Sequence, residues 1–227
     1  MDLKEEHFSK RRIPVAVAFV LLFVSACNLG PSSKLQESSE KPAASKAKQD
    51  DFSLGSADLC VQTMAQNPTQ TFHFSSSRTH MDTGEKYSTE ARISPRMIDL
   101  TKSDRSSATT THWPRSDESG WATAIKSIAM AGPWMQLNMA KFAAKPVGPE
   151  NVNNFDAIKF DVDTTNDDPA DKAGYLAGMD ARDYDVVGSA WLAKDTGCIL
   201  KYVLDFEVAA KDGKISKTHY EGAVAKP

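Results

Sequence analysis

Residues 184–209 read YDVVGSAWLAKDTGCILKYVLDFEVA, two runs of alternating character on either side of a short polar break. From Tyr184 to Trp191 and again from Cys198 to Ala209, apolar side chains recur at every second position, the period of a half-buried strand. Lys194-Asp195-Thr196-Gly197 supplies the turn between them, because Gly197 tolerates the positive φ that a tight hairpin requires. Working outward, Lys211-Asp212-Gly213-Lys214 predicts a second hairpin into a strand at Ile215–Val224, and Asn153–Asp163 (NNFDAIKFDVD) alternates as another strand.

Towards the N-terminus, Thr71–Met81, Lys86–Ile93, Met97–Thr101 and Ser107–Trp113 predict an antiparallel meander, separated by turn signals at Asp82-Thr83-Gly84, Ser94-Pro95 and Lys102-Ser103-Asp104. Before it, Ser56 is placed to cap a helix over 57–66 that Asn67-Pro68 stops. After it the period changes. Trp121, Ile125, Ile128 and Ala129 recur at three and four, Gly132-Pro133 interrupts, and Trp134, Met135, Leu137, Met139 and Phe142 follow. The acidic run from Asp161 to Asp171 reads as a loop. About seven strands with inserted helices and no parallel βαβ alternation give an α+β class.

The first 26 residues carry a different message. Lys4, Lys10, Arg11 and Arg12 precede the apolar run 13–26 (IPVAVAFVLLFVSA), which is too short to span a bilayer comfortably and reads as a signal peptide. Val24-Ser25-Ala26-Cys27 resembles the lipobox of bacterial lipoproteins, which implies cleavage before Cys27 and its lipidation. Residues 28–52, rich in Ser, Lys, Ala and Pro, cannot bury enough apolar surface to offset their ordering entropy and read as a flexible tether. Residues 53–227 are left for the folded domain. Asn28 is not the Asp that holds enteric lipoproteins in the inner membrane, so the expected location is the cell envelope, lipid-anchored at the outer membrane and facing the periplasm.

The full chain has 27 Lys+Arg against 30 Asp+Glu, and cleavage would leave 23 against 27. A mildly acidic surface disfavours nucleic acid as a partner. Cys60 and Cys198 remain after lipidation; in an exported compartment they either pair or stay as two separately buried thiols.

Catalytic patterns are missing from the sequence. There is no G-x-S-x-G, H-E-x-x-H, P-loop or G-x-G-x-x-G, and the histidines after the signal region (His73, His80, His112, His219) have no ligand-type neighbour at metal spacing. The acidic run fails as a calcium loop, since counting from Asp161 the sixth position is Asn166 rather than Gly and the twelfth is Lys172 rather than Glu. No enzyme activity, cofactor or metal is therefore expected.

Val147-Gly148-Pro149-Glu150-Asn151-Val152-Asn153-Asn154 leading into Ala157–Phe160, then Gly188-Ser189-Ala190-Trp191-Leu192-Ala193-Lys194-Asp195-Thr196-Gly197, then Tyr220-Glu221-Gly222-Ala223-Val224, form an order of parts that resembles the LolA/LolB and LppX/LprG superfamily of bacterial lipid and lipoprotein carriers. Asn154 stands where that family's turn usually has Gly. The resemblance implies a strongly curved antiparallel half-barrel with helices covering its concave face. It also implies a cavity for a lipid or the acyl groups of a lipoprotein, used without covalent chemistry by a monomer. On that basis Trp121, Ile125, Trp134, Met135, Leu137, Met139, Phe142 and Trp191 line the cavity, with Gly132-Pro133 as a hinge. Met and Trp suit such a wall because they are polarizable and deformable. The alternative is a structural or interaction lipoprotein of the envelope in which the same side chains simply fill the core.

Overall fold

The computed structural model describes residues 52–226, so the signal-peptide reading, Cys27 and nearly all of the tether lie outside the described residues. In chain order the elements are α1 (Ala57–Gln66), β1 (Phe72–His80), β2 (Glu85–Ile93), β3 (Met97–Ser103), β4 (Ala108–Pro114), α2 (Glu118–Ala131), α3 (Trp134–Met139), β5 (Lys145–Val152), β6 (Phe155–Asp163), α4 (Pro169–Leu176), β7 (Ala181–Ala193), β8 (Ile199–Ala210) and β9 (Ile215–Ala225). The class is α+β. All nine strands form one antiparallel sheet in the order β4-β3-β2-β1-β9-β8-β7-β6-β5, and the edge strands β4 and β5 do not pair, so the sheet is not closed into a barrel. Two meanders thus meet at a long-range seam, where β1 pairs β9 from His73↔Ala225 to His80↔Thr218.

Two elements go beyond the sequence expectation. β5 contains Pro146 and Pro149, which argue against a strand in mid-sheet, but it lies at an edge, and its register with β6 shifts between Pro146 and Gly148. The acidic run is not one loop. Asp161–Asp163 finish β6, and α4 begins at Pro169, with the Asp168 carboxylate accepting from the Ala170 N–H at 2.8 Å. Asn153 and Asn154, at φ 51° and 67°, close the β5–β6 hairpin, so the position where the resembled family uses Gly keeps a left-handed turn with Asn.

Alternation along the strands sends one set of side chains to the helices. On β1 and β2, Phe72, Phe74, Ala91 and Ile93 share a cluster with Ile98 and Leu100 of β3, Val61 of α1, and Trp121, Ala124, Ile125 and Ile128 of α2. A second cluster joins Leu137 and Met139 of α3 to Phe160, Val186, Leu204 and Phe206 of β6–β8. Between the two, the buried Tyr202 hydroxyl donates to Ser76 Oγ at 2.7 Å, and Ser76 Oγ donates to the Ala131 carbonyl at 2.6 Å. This chain of bonds ties β8 and β1 to the end of α2, and burial pushes the Tyr202 phenol far above its ordinary pKa. Cys60 and Cys198 are joined by a disulfide with Cα atoms 5.6 Å apart, fastening α1 to the head of β8.

Candidate ligand site

A cavity of about 330 Å³ lies beneath α1. Cys60, Val61 and Met64 form its helical wall, Phe72 and Phe74 of β1, Leu200 of β8 and Val224 of β9 its sheet wall, and Trp134 and Phe155 its sides. Phe155 stacks on Phe72 with centroids 6.3 Å apart and carries the Lys226 ammonium 4.0 Å above its ring. The lining is largely apolar, with Asn67, Gln70, Asp195 and Thr196 also bordering it. A volume in this range matches small-molecule sites rather than interior packing defects.

Trp134 also borders a second, open groove of about 790 Å³. Its indole N–H donates to the Gly55 carbonyl at 3.2 Å, and Gly55 N–H in turn donates to the Gly197 carbonyl at 2.9 Å. The N-terminal segment of the domain is thereby pinned to the β7–β8 turn. Gly132 makes room for this indole, because a Cβ there would enter the Trp134 ring. Its backbone is otherwise ordinary, with φ −84°, so the glycine serves packing. The groove has a different character, with Arg78, Tyr87, Lys102 and Tyr220 on its sheet side and Met130 and Met135 on its helical side.

The residues expected in the cavity are dispersed. Trp134 reaches it. Trp121 and Ile125, on α2, are buried in the first core cluster, where the Arg115 guanidinium lies 4.8 Å from the Trp121 ring centroid, and they border a separate recess of about 310 Å³ rather than this cavity. Leu137 and Met139 are packed into the second core cluster, at 0% and 3% exposure. Met135 and Phe142 are exposed, and Met135 lines the groove rather than the cavity. Trp191 does not line the cavity, although it is buried in a third core cluster with Leu200, against which Phe155 also packs. Its neighbours across the sheet are Lys159 and Lys201, whose ammonium groups lie 5.5 and 4.5 Å from its ring centroid, and its N–H donates to Glu150 at 2.6 Å. With Ala190 and Leu192 both in the second core cluster, alternation turns Trp191 to the opposite face. The cavity residues that were missed, Phe72, Phe74, Phe155, Leu200 and Val224, lie on strands read as ordinary core.

The polar groups considered for chemistry are occupied elsewhere. The nearly buried Lys172 ammonium donates to Asp185 at 2.9 Å and Asp183 at 3.1 Å. His112 pairs with Asp99 and His219 with Asp205 on the surface. Among the described residues no group of His, Cys, Asp and Glu has the geometry of a metal site.

No protein-family model and no curated protein sequence matches the chain. Among solved structures, the crystal structure of a DUF1329 family protein from Desulfovibrio piger aligns at 9% identity, covering 75% of this chain and 91% of that one, with a TM-score of 0.13. Superposition that poor carries no argument about fold or function.

Proposed function

We propose that this protein is a membrane-anchored bacterial lipoprotein that binds or transfers a lipid or an acylated ligand. The observation that carries the reading is the apolar cavity of about 330 Å³ between α1 and the sheet, walled by Val61, Met64, Phe72, Phe74, Leu200 and Val224. A half-open recess of this size, lined mainly by apolar and aromatic side chains with a few polar groups at its border, has the character of a small-ligand site. The lipobox-like end of the signal region and the tether after it fit a domain held near a membrane surface. On this reading the open nine-stranded sheet is a strongly curved half-barrel of the LolA/LppX kind with α1, α2 and α3 over its concave face, and Cys27 carries the anchor at the outer membrane.

A second reading, a structural or interaction lipoprotein of the envelope, draws on the complete burial of Leu137 and Val186 in the α3 half of the core. Native mass spectrometry with organic extraction separates the two. The sample is the exported full chain carrying Cys27→Ala, so that its own acyl groups are absent. A stoichiometric lipid that is lost when Phe74 is replaced by Asp, in a variant that still folds, supports carriage. A clean apo mass after incubation with phospholipid and lipopeptide leaves the structural reading.

A further inference from the structure

We infer that the groove beside α2 and α3 receives the anionic headgroup of a glycerophospholipid, with Arg78 as its main contact. This rests on the lipid-binding reading and specifies the ligand of that site. One face of β1 changes character along its length, from Phe72 and Phe74 to Ser76 and then Arg78. The neighbouring strand follows, with Ile93 opposite Phe72 and Tyr87 opposite Arg78. From Phe72 to Arg78 the strand rises by about 20 Å. The sheet is thus apolar where it walls the cavity and cationic where it floors the groove, and Trp134 borders both spaces.

Arg78 is free to act. Its guanidinium lies 4.8 Å from the Tyr87 ring centroid, and it forms no ion pair with any described residue. A stacked guanidinium is held in orientation while its N–H fork stays open, which suits bidentate phosphate binding. Lys102, the other cation lining the groove, donates to Ser127 Oγ at 3.3 Å. The acid lining the groove is Asp58, and the nearby Glu85 accepts from the Tyr87 hydroxyl at 3.4 Å. Met130 and Met135, 85% and 57% exposed, edge the groove with flexible apolar side chains of the kind that accommodate glycerol and proximal acyl carbons. A cationic floor beside an apolar cavity, in a chain of net charge −3, is complementary to an anionic amphiphile.

The test offers the exported full chain carrying Cys27→Ala to vesicles of phosphatidylglycerol or phosphatidylcholine and measures lipid retained per protein by native mass spectrometry. Both lipids carry the phosphodiester, but the choline ammonium of phosphatidylcholine would face the cations Arg78 and Lys102, so phosphatidylglycerol is expected to be preferred by about tenfold, the scale of one charge-assisted contact. Arg78→Leu should erase the preference while phosphatidylcholine uptake persists, and Arg78→Lys should keep part of it. Lys102→Met, two strands from Arg78 on β3 and already bonded to Ser127, should reduce the preference less than Arg78→Leu, and urea midpoints check that each variant is folded. Equal uptake of both lipids by the wild type, or unchanged selectivity in a folded Arg78→Leu, overturns the headgroup site and leaves lipid binding standing. Uptake of neither lipid overturns the headgroup site as well, and if a lipopeptide offered in the same assay is also refused, the lipid-binding reading itself falls. Saturable binding of inorganic phosphate that Arg78→Leu abolishes, without lipid uptake, identifies a free anion as the ligand and overturns the amphiphile.

Discussion

Cys60, midway along α1, is bonded to Cys198, the residue before β8, across 138 positions of sequence. Closing so long a loop in the unfolded chain removes entropy worth about 5 kcal/mol in the chain-entropy treatment. Both cysteines also border the apolar cavity, so the link holds its helical wall as well as the fold. Reduction, or Cys60→Ser with Cys198→Ser, is expected to lower the urea unfolding free energy by about 3–5 kcal/mol. A loss below about 1 kcal/mol would show that α1 is held by its apolar contacts alone.

Gly132 and Gly174 make opposite demands on the same substitution. A methyl group at 132 would enter the Trp134 ring, whereas nothing lies within 4 Å of a Cβ at 174 in α4. Gly132→Ala should therefore cost about 1–3 kcal/mol by displacing the indole, with a change in near-UV circular dichroism. Gly174→Ala should be neutral or stabilising by up to about 1 kcal/mol, through helix propensity. Equal effects at the two positions would contradict the packing role of Gly132.

Met135 and Leu137, two residues apart on α3, were equivalent in the sequence pattern and are not equivalent in the fold. Leu137 is fully buried, and Met135 is 57% exposed at the groove. Leu137→Asp should unfold the domain, since an unpaired carboxylate cannot be sustained there, and Leu137→Ala should cost about 2–5 kcal/mol. Met135→Glu should leave the unfolding midpoint nearly unchanged and alter only ligand retention. Thermal melts of the three variants check this directly.

Period-two alternation and turn signals located β1–β4 and β6–β9 to within a few residues, because most of these strands have one wet and one buried face; the edge strand β4, which buries no residue, was marked by its composition and the turn before it. β5 was hidden by Pro146 and Pro149, which a sheet tolerates at an edge that sequence cannot identify. α4 was hidden because its polar, acidic start resembles a loop until Asp168 and Pro169 are recognised as a cap and first turn. At the candidate site, hydrophobicity proposed candidates but could not say which would be consumed as core. Trp191 is the clearest case, for counting parity from Ala190 and Leu192 would have sent it to the other face. Parity would likewise have put Arg78 on the face of Phe72 and Phe74, a signal available in β1 and unused.

Lys172 gives the molecule an alkaline weakness. Burial opposes its charge, but the hydrogen bonds and charges of Asp185 and Asp183 outweigh that and hold its pKa above the ordinary lysine value. A cation stabilised by folding contributes fully below the unfolded pKa of about 10.4 and loses its contribution as pH rises through the higher folded value. The buried phenol of Tyr202, also shifted upward, weakens the fold over an overlapping alkaline range, so the informative quantity is a difference between proteins. Lys172→Met should cost about 1–2 kcal/mol at neutral pH, because Asp183 and Asp185 retain access to water. Its urea midpoint should then decline less than that of the wild type between pH 10 and 11. Parallel declines would mean that the ion pairs contribute nothing net.

The β5–β6 turn tests whether asparagine there is a compromise or a requirement. Asn153 and Asn154 both hold positive φ, which costs an ordinary L-residue about 1–2 kcal/mol and glycine almost nothing. Asn153 has a second duty, since its side-chain amide donates to the Val224 carbonyl at 3.0 Å and ties the hairpin to β9 beside the cavity. Asn154 has no comparable side-chain bond among the described residues. Asn154→Gly should therefore be tolerated or slightly stabilising, while Asn154→Val should destabilise by about 1–2 kcal/mol through strain alone. Asn153→Gly relieves the strain but cuts the bond to Val224, so it should lose about 1 kcal/mol where Asn154→Gly loses none. Chemical denaturation of the three variants side by side distinguishes the duties, and equal stability of Asn153→Gly and Asn154→Gly would remove the link to β9 from the account.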